Sequence, residues 1–309
     1  MQANPFRPLH VMPDPYQPPA LLLIGHGSRD ADGVAEFHRL ADRVYSHLPD
    51  RLCLSSFLEL AEPSLPEGVE ALIHHGARVI TALPVMLLAA GHLKNDIPGE
   101  LYALQAEHPE LKITLGTELG VHPNMVQAAR ERIASCEPDF GSGYSRRDTL
   151  LLVVGRGSSD PDANANLVQI TRLLWETLDF GWAETAYCAV TPPSVADALE
   201  RSHGLGFKPV IVFPYVLFGG RVIQQIHAAV DTYQLRHPEV QVVKAPTLND
   251  HPLVVQTLIE RLHQAEAGLA MMNCQLCQYK ELLIGYEHRH KMPQVVPYSH
   301  DVRSSEENS

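Results

Sequence analysis

The sequence predicts an α/β protein: two tandem, doubly wound parallel-sheet units of flavodoxin-like architecture facing a central cleft. Three observations predict it. The stretch LLLIGHGSRD at residues 21–30 returns as LLVVGRGSSD at residues 151–160. Other landmarks keep step: Pro63-Ser64 with Pro193-Ser194, Pro84 with Pro214, His108-Pro109-Glu110 with His237-Pro238-Glu239, and Val126-Gln127 with Val255-Gln256, the offset slipping from 130 to 129 after Pro214. A register held over such a length marks an internal duplication. Within each copy, short apolar runs alternate with segments whose apolar residues recur at helical spacing, which is the signature of a parallel sheet covered on both faces.

Taken in order, residues 1–19 are a Pro-rich tail. The first repeat, residues 20–140, opens with the strand LLLIG and a helix over DGVAEFHRLADRVYSHL. RLCLSSFLEL then precedes a helix opened by PSLPEGVEALIHHG, RVITALPVML precedes a helix near NDIPGELYALQAEH, and KITLG precedes the helix PNMVQAARERI. Gly and Pro punctuate the boundaries, and right-handed crossovers favour the doubly wound arrangement. The stretch FGSGYSRR leads into the second repeat, residues 148–266, and residues 267–309 form a C-terminal tail.

Composition narrows the function classes. The 309 residues are 45% hydrophobic and 19% charged, as in a globular protein, and no apolar run approaches the roughly 20 residues that span a bilayer. A soluble, cytoplasmic protein that acts away from membranes is expected. A net charge of −12 argues against nucleic-acid binding, which needs a cationic surface. Five cysteines, only Cys274 and Cys277 close together, do not make a disulfide framework. Cys53, Cys136 and Cys188 read as small buried hydrophobes.

In doubly wound folds ligands collect at the carboxyl ends of the strands. His26 directly follows the first strand, Glu59 the second, and His92 lies in the loop after the third. Strands about 4.8 Å apart can bring these side chains onto a single ion. Two imidazoles and a carboxylate suit a borderline divalent metal such as Co2+, Ni2+, Fe2+ or Zn2+. In the second copy His26 is matched by Arg156, Glu59 by Ala189 and, after the one-residue slip, His92 by Arg221, so the three candidate ligands are lost together. Arginine cannot ligate a metal but grips carboxylates with its forked donors. His122 and His251, retained in both copies beside a proline, read as structural. His74-His75 reads as a helix-end feature.

The motifs GHGSRD, FLELAEPS and LPVMLLAAGHLKNDIP together resemble the class II chelatases, specifically the sirohydrochlorin chelatases of the cobalt-inserting type. The duplication and the segment Met272 to Cys277, of pattern M-x-C-x-x-C, resemble the long, two-repeat form. The resemblance implies insertion of Co2+ into sirohydrochlorin on the anaerobic route to cobalamin, without nucleotide hydrolysis. The sequence agrees in lacking a G-x4-GK-[ST] phosphate loop. On this reading His26, Glu59 and His92 are catalytic and hold the metal, while Arg29, Lys94, Arg156 and Arg221 bind the carboxylate-rich macrocycle. Fe2+ insertion for siroheme, Ni2+ as the metal, and a non-catalytic tetrapyrrole or metal carrier are the alternatives. A metal-dependent hydrolase lacks a nucleophile elbow. A monomer or homodimer is expected.

Two thiolates, Cys274 and Cys277, complete neither a tetrahedral zinc site nor an iron–sulphur cubane. The resemblance implies an iron–sulphur cluster there, and zinc with His288 and His290 is the other option. The EHRH stretch and His300 are all this chain offers of the histidine-rich segment that long-form relatives often carry.

Overall fold

The computed structural model describes residues 18–137 and 144–273. The expectations for Cys274, Cys277, His288, His290 and nearly all of the N-terminal tail lie outside them. Strands β1 (Ala20–Gly25), β2 (Cys53–Phe57), β3 (Val79–Pro84) and β4 (Lys112–Leu115) form a parallel sheet in the order β2-β1-β3-β4. Strands β5 (Leu150–Gly155), β6 (Trp182–Tyr187), β7 (Pro209–Pro214) and β8 (Gln241–Lys244) repeat that order as β6-β5-β7-β8. The helices are α1 (Ala31–Tyr45), α2 (Leu65–His74), α3 (Ile97–Glu107) and α4 (Pro123–Ala134), then α5 (Pro161–Leu178), α6 (Val195–His203), α7 (Arg221–Arg236) and α8 (Pro252–Glu266). No helix among the described residues is long and apolar enough to cross a membrane.

Every residue of β1 is buried, because alternate side chains serve opposite faces. Leu22 and Ile24 meet Leu65, Val69 and Leu72 of α2 and Ile97 and Leu101 of α3. Leu21 and Leu23 face a second core that contains Phe37 and Leu40 of α1 and Met125 and Ala129 of α4. That core continues without a break into the second repeat, through Leu151, Val153, Leu167 and Leu258. The two repeats thus share one interior.

Helices α4 and α8 seal it with reciprocal contacts. His122 accepts the Asn124 N–H through Nδ1, capping α4, and its Nε2 meets Glu260 Oε2 at 3.1 Å. His251 caps α8 by accepting the Leu253 N–H, and its Nε2 meets Glu131 Oε2 at 3.1 Å. Arg132 donates to the Leu248 carbonyl and Arg261 to that of Leu119. Each bond has its mirror, as in an isologous twofold interface, and the structural roles expected of His122 and His251 are the ones observed. Burial holds both imidazoles below their ordinary pKa, with Arg261 adding to the effect at His122 and Arg132 at His251.

Other inter-repeat contacts have no mirror, and one of them corrects an expectation. Lys94 does not line the cleft. Its side chain is fully buried and its Nζ bonds Asp160 Oδ2 at 2.7 Å and Asp162 Oδ2 at 3.0 Å at the start of α5. Those carboxylates fix the ammonium as a strut between the repeats, so it is not offered to a ligand. The cysteines also differ from expectation: Cys53, Cys136 and Cys188 are half-buried at core margins. Partial burial still pushes the Cys53 and Cys136 thiols up to about 11, which keeps them protonated.

Replacing Lys94 by Met removes the cation that two buried aspartates share and is expected to cost about 3–5 kcal/mol, read from the urea unfolding midpoint. The histidines give a pH dependence. Because their folded pKa lies below the ordinary value of about 6.5, the unfolded chain binds more protons in the window beneath it. Stability is therefore full above about pH 6.5 and declines as the pH falls further. Replacing both His122 and His251 by Asn, which still caps a helix, should flatten that decline.

Candidate metal centre

At the carboxyl ends of β1, β2 and β3 three loops converge. The Glu59 N–H donates to the His26 carbonyl at 3.1 Å, which clips the first two loops together. Gly27 makes the approach possible. It takes φ +93, and a Cβ there would sit 1.6 Å from the Glu59 carbonyl oxygen, so only glycine fits. The second repeat keeps the same construction. Ala189 N–H donates to the Arg156 carbonyl at 3.0 Å, and a Cβ on Gly157, at φ +88, would lie 2.3 Å from the Ala189 oxygen. Backbone geometry is conserved between the copies while the side chains it presents have changed.

One donor atom from each of His26, Glu59 and His92 lies within 4.8 Å of the others. The His26 and His92 rings stand edge to face with centroids 4.8 Å apart. His26 Nδ1 lies 3.2 Å from the Gly27 carbonyl, which can only accept, so the proton resides on Nδ1 and the Nε2 lone pair is free. That Nε2 is buried, makes no hydrogen bond among the described residues, and lies 3.4 Å from Glu59 Oε1. Two acceptors facing one another at that distance invite a cation between them. On the other side His92 Nδ1 donates to Asp96 Oδ2 at 2.7 Å, and Asn95 holds the second Asp96 oxygen at 2.9 Å. A carboxylate on the far nitrogen fixes the ring's tautomer and its orientation. Burial and the neighbouring His92 and Arg156 pull His26 below the ordinary imidazole pKa, although Gly27 and Glu59 pull the other way. The neutral, metal-competent form is the favoured one.

Asp96 and Gly27 are site residues that sequence reasoning passed over. Asp96 lies four residues after His92, the spacing at which side chains meet on a helix, so the signal was present. What hid it was the helical character of the segment: His92–Asp96 form a π-helical turn, with the Ile97 N–H donating to the His92 carbonyl. An i to i+5 bond accommodates one more residue than an α turn. Lys94 N–H bonds the Ala90 carbonyl where Gln224 N–H bonds that of Gly220, an offset of 130, whereas His108 to Leu104 matches His237 to Tyr233 at 129. The slip therefore falls inside this turn and not before it. The residue in register with His92 is Val222, and Arg221 stands one position earlier, opposite Gly91. The loss of the third donor holds, although the pairing of His92 with Arg221 does not.

The trio opens on a cavity of about 1160 Å3 between the repeats, larger than most small-molecule sites. Arg29 from the first repeat and Arg156 and Arg221 from the second also line it. All three are exposed, and among the described residues no carboxylate pairs with them. Leu87, Leu217 and Phe218 add apolar wall. Such a chamber can hold a flat, acidic organic ligand against a metal-binding rim.

Comparison with known proteins agrees with this arrangement. The CbiX family model matches residues 20–136 and again residues 150–265. The chain is 33% identical over 262 residues to a sirohydrochlorin cobaltochelatase of Priestia megaterium, covering 84% of each chain. It is 31% identical over 261 residues to a sirohydrochlorin ferrochelatase of the same organism, covering 84% of this chain and 94% of that one. Among solved structures, SirB from Bacillus subtilis with Fe3+ superposes with a TM-score of 0.70 at 26% identity, over 82% of this chain and 99% of its own. With both repeats matched in turn and the curated relatives aligned along most of their length, the chain belongs to the CbiX family.

Proposed function

We propose that this protein is a chelatase that inserts a divalent metal, Co2+ first among the candidates, into sirohydrochlorin without nucleotide hydrolysis. The observation that carries the reading is the convergence of His26, Glu59 and His92 on one edge of a cavity whose other edge presents arginines. The similarity to a cobaltochelatase supports the substrate and the metal. A second reading, Fe2+ insertion, is supported by the similarity to a ferrochelatase and to SirB with Fe3+. Imidazole and carboxylate donors accept either ion.

Insertion requires the ion to lose water and two pyrrolic N–H protons to leave as four ring nitrogens bind. His26 Nε2, His92 and Glu59 replace part of the hydration shell, which lowers the cost of desolvating the ion. Passing the ion to the ring frees His26 Nε2 to accept the two pyrrolic protons one after the other as the ring releases them. Its depressed pKa then favours handing the proton on to water. Arg29, Arg156 and Arg221 hold the carboxylates of the macrocycle, giving a protein of net charge −12 a local cationic surface for a polyanion.

Replacing His26 or His92 by Ala is expected to slow Co2+ insertion by about a hundredfold or more in a folded protein. Turnover at the unaltered rate in either variant would remove that residue from the mechanism. Gly27→Ala should be nearly as damaging, because its methyl displaces the Glu59 loop. The matching Gly157→Ala disturbs a loop that carries no ligand and should chiefly weaken macrocycle binding. Initial rates with Co2+, Fe2+ and Ni2+ on sirohydrochlorin decide the metal: the proposal predicts the fastest turnover with Co2+, and faster insertion of Fe2+ would favour the second reading.

A further inference from the structure

The second repeat carries another set of metal-competent donors, remote from the cleft. The cleft lies at the carboxyl ends of the strands, whereas the helices run back and end at the amino ends. His203 is the last residue of α6 and His237 caps the end of α7, with Glu239 two residues further on. Glu239 Oε1 lies 3.9 Å from His203 Nε2 and 3.7 Å from His237 Nδ1, and the two ring centroids are 4.1 Å apart. One donor atom from each of the three lies within 4.8 Å of the others.

The far nitrogens of both rings are already engaged. His237 Nε2 faces Glu200 Oε2 at 3.2 Å, and Arg236 holds Glu200 at 2.6 Å. A carboxylate accepts, so the proton is on Nε2 and the Nδ1 lone pair points to Glu239. His203 Nδ1 lies 3.3 Å from the hydroxyl of the buried Tyr233, which can accept its proton and leave Nε2 free. Outer partners of this kind orient imidazoles that bind metals. The carboxyl-terminal ends of α6 and α7 both point here, and their partial negative charge favours a cation.

A strut between helix ends would explain part of this arrangement. The first repeat contains that strut, since His108 Nε2 meets Glu70 at 2.8 Å and His108 Nδ1 meets Glu110 at 3.9 Å. There, however, Ile73 stands in the register of His203 and Leu104 in that of Tyr233. The third donor and its hydroxyl partner belong to the second repeat alone, and a strut has no need of them. We propose that His203, His237 and Glu239 form a second, surface-exposed site for a borderline divalent cation such as Co2+, Ni2+ or Zn2+, at the end of the second repeat opposite the cleft. Three protein donors leave positions for water, and the exposure of Glu239, 51% for the side chain, makes this a site of exchangeable occupancy.

Equilibrium dialysis of the full chain against Co2+ tests the proposal, using His203→Ile, which installs the residue the first repeat already tolerates, and Glu239→Gln at an exposed position. Each should bind one ion fewer per chain than the unaltered protein while inserting metal at the same rate. Combining His203→Ile with His26→Ala should subtract two. Glu200→Gln should weaken the same ion by about ten- to a hundredfold. Full binding with unchanged affinity in both His203→Ile and Glu239→Gln would overturn the proposal. So would a loss of insertion rate in folded variants that tracks the lost ion, since the ion would then belong to the cleft.

Discussion

Gly27 lies so close to the Glu59 carbonyl that nothing larger than hydrogen fits between them, and the rest of the site depends on that contact. It lets the loops after β1 and β2 share a backbone hydrogen bond, which sets His26 and Glu59 side by side on the rim. The same contact recurs at Gly157 and Ala189, so duplication copied a scaffold that holds two side chains together whatever they are. In one copy they are an imidazole and a carboxylate. In the other they are a guanidinium and a methyl group. The copies differ in the side chains presented on an unchanged frame.

The frames face each other across a shared interior. A continuous core runs from the first sheet into the second, and α4 and α8 exchange matched contacts across it. Arg156 is thereby held near enough to His26 to help lower its pKa. A single cation thus serves two ends: it adds to the burial that keeps the imidazole neutral, and it stands ready for an anionic ligand. The strut from Lys94 to Asp160 and Asp162 anchors the His92 turn to the second repeat, so the third donor is positioned by the lobe that brings no donor of its own to the cleft.

Much of this was legible in the sequence. The duplication, the four strand–helix units in each copy and the placing of His26, Glu59 and His92 on one rim follow from periodicity and from the rule for strand ends. The π turn was not legible. A one-residue slip in register shows that a residue was gained somewhere, but only the hydrogen bonds show that the helix itself absorbed it, and so Arg221 was paired with His92 in error. Lys94 misled for a different reason. A lysine two residues from a candidate ligand looks available until its partners are known, and Asp160 and Asp162 lie more than sixty residues away in sequence. The cluster of His203, His237 and Glu239 was hidden in the same way, because the repeat landmark His-Pro-Glu marked the fold and gave no hint of the histidine that joins it from α6.

The central claim is the asymmetry of the two copies, and a crystal structure of the protein with Co2+ tests it most directly. The account predicts an ion on the first repeat, bound by His26 Nε2, Glu59 and His92, with Asp96 still holding the far side of the His92 ring, and none between Arg156 and Ala189. A cleft ion bound on the second repeat, or one held by other groups while His26, Glu59 and His92 remain uncoordinated, would contradict it.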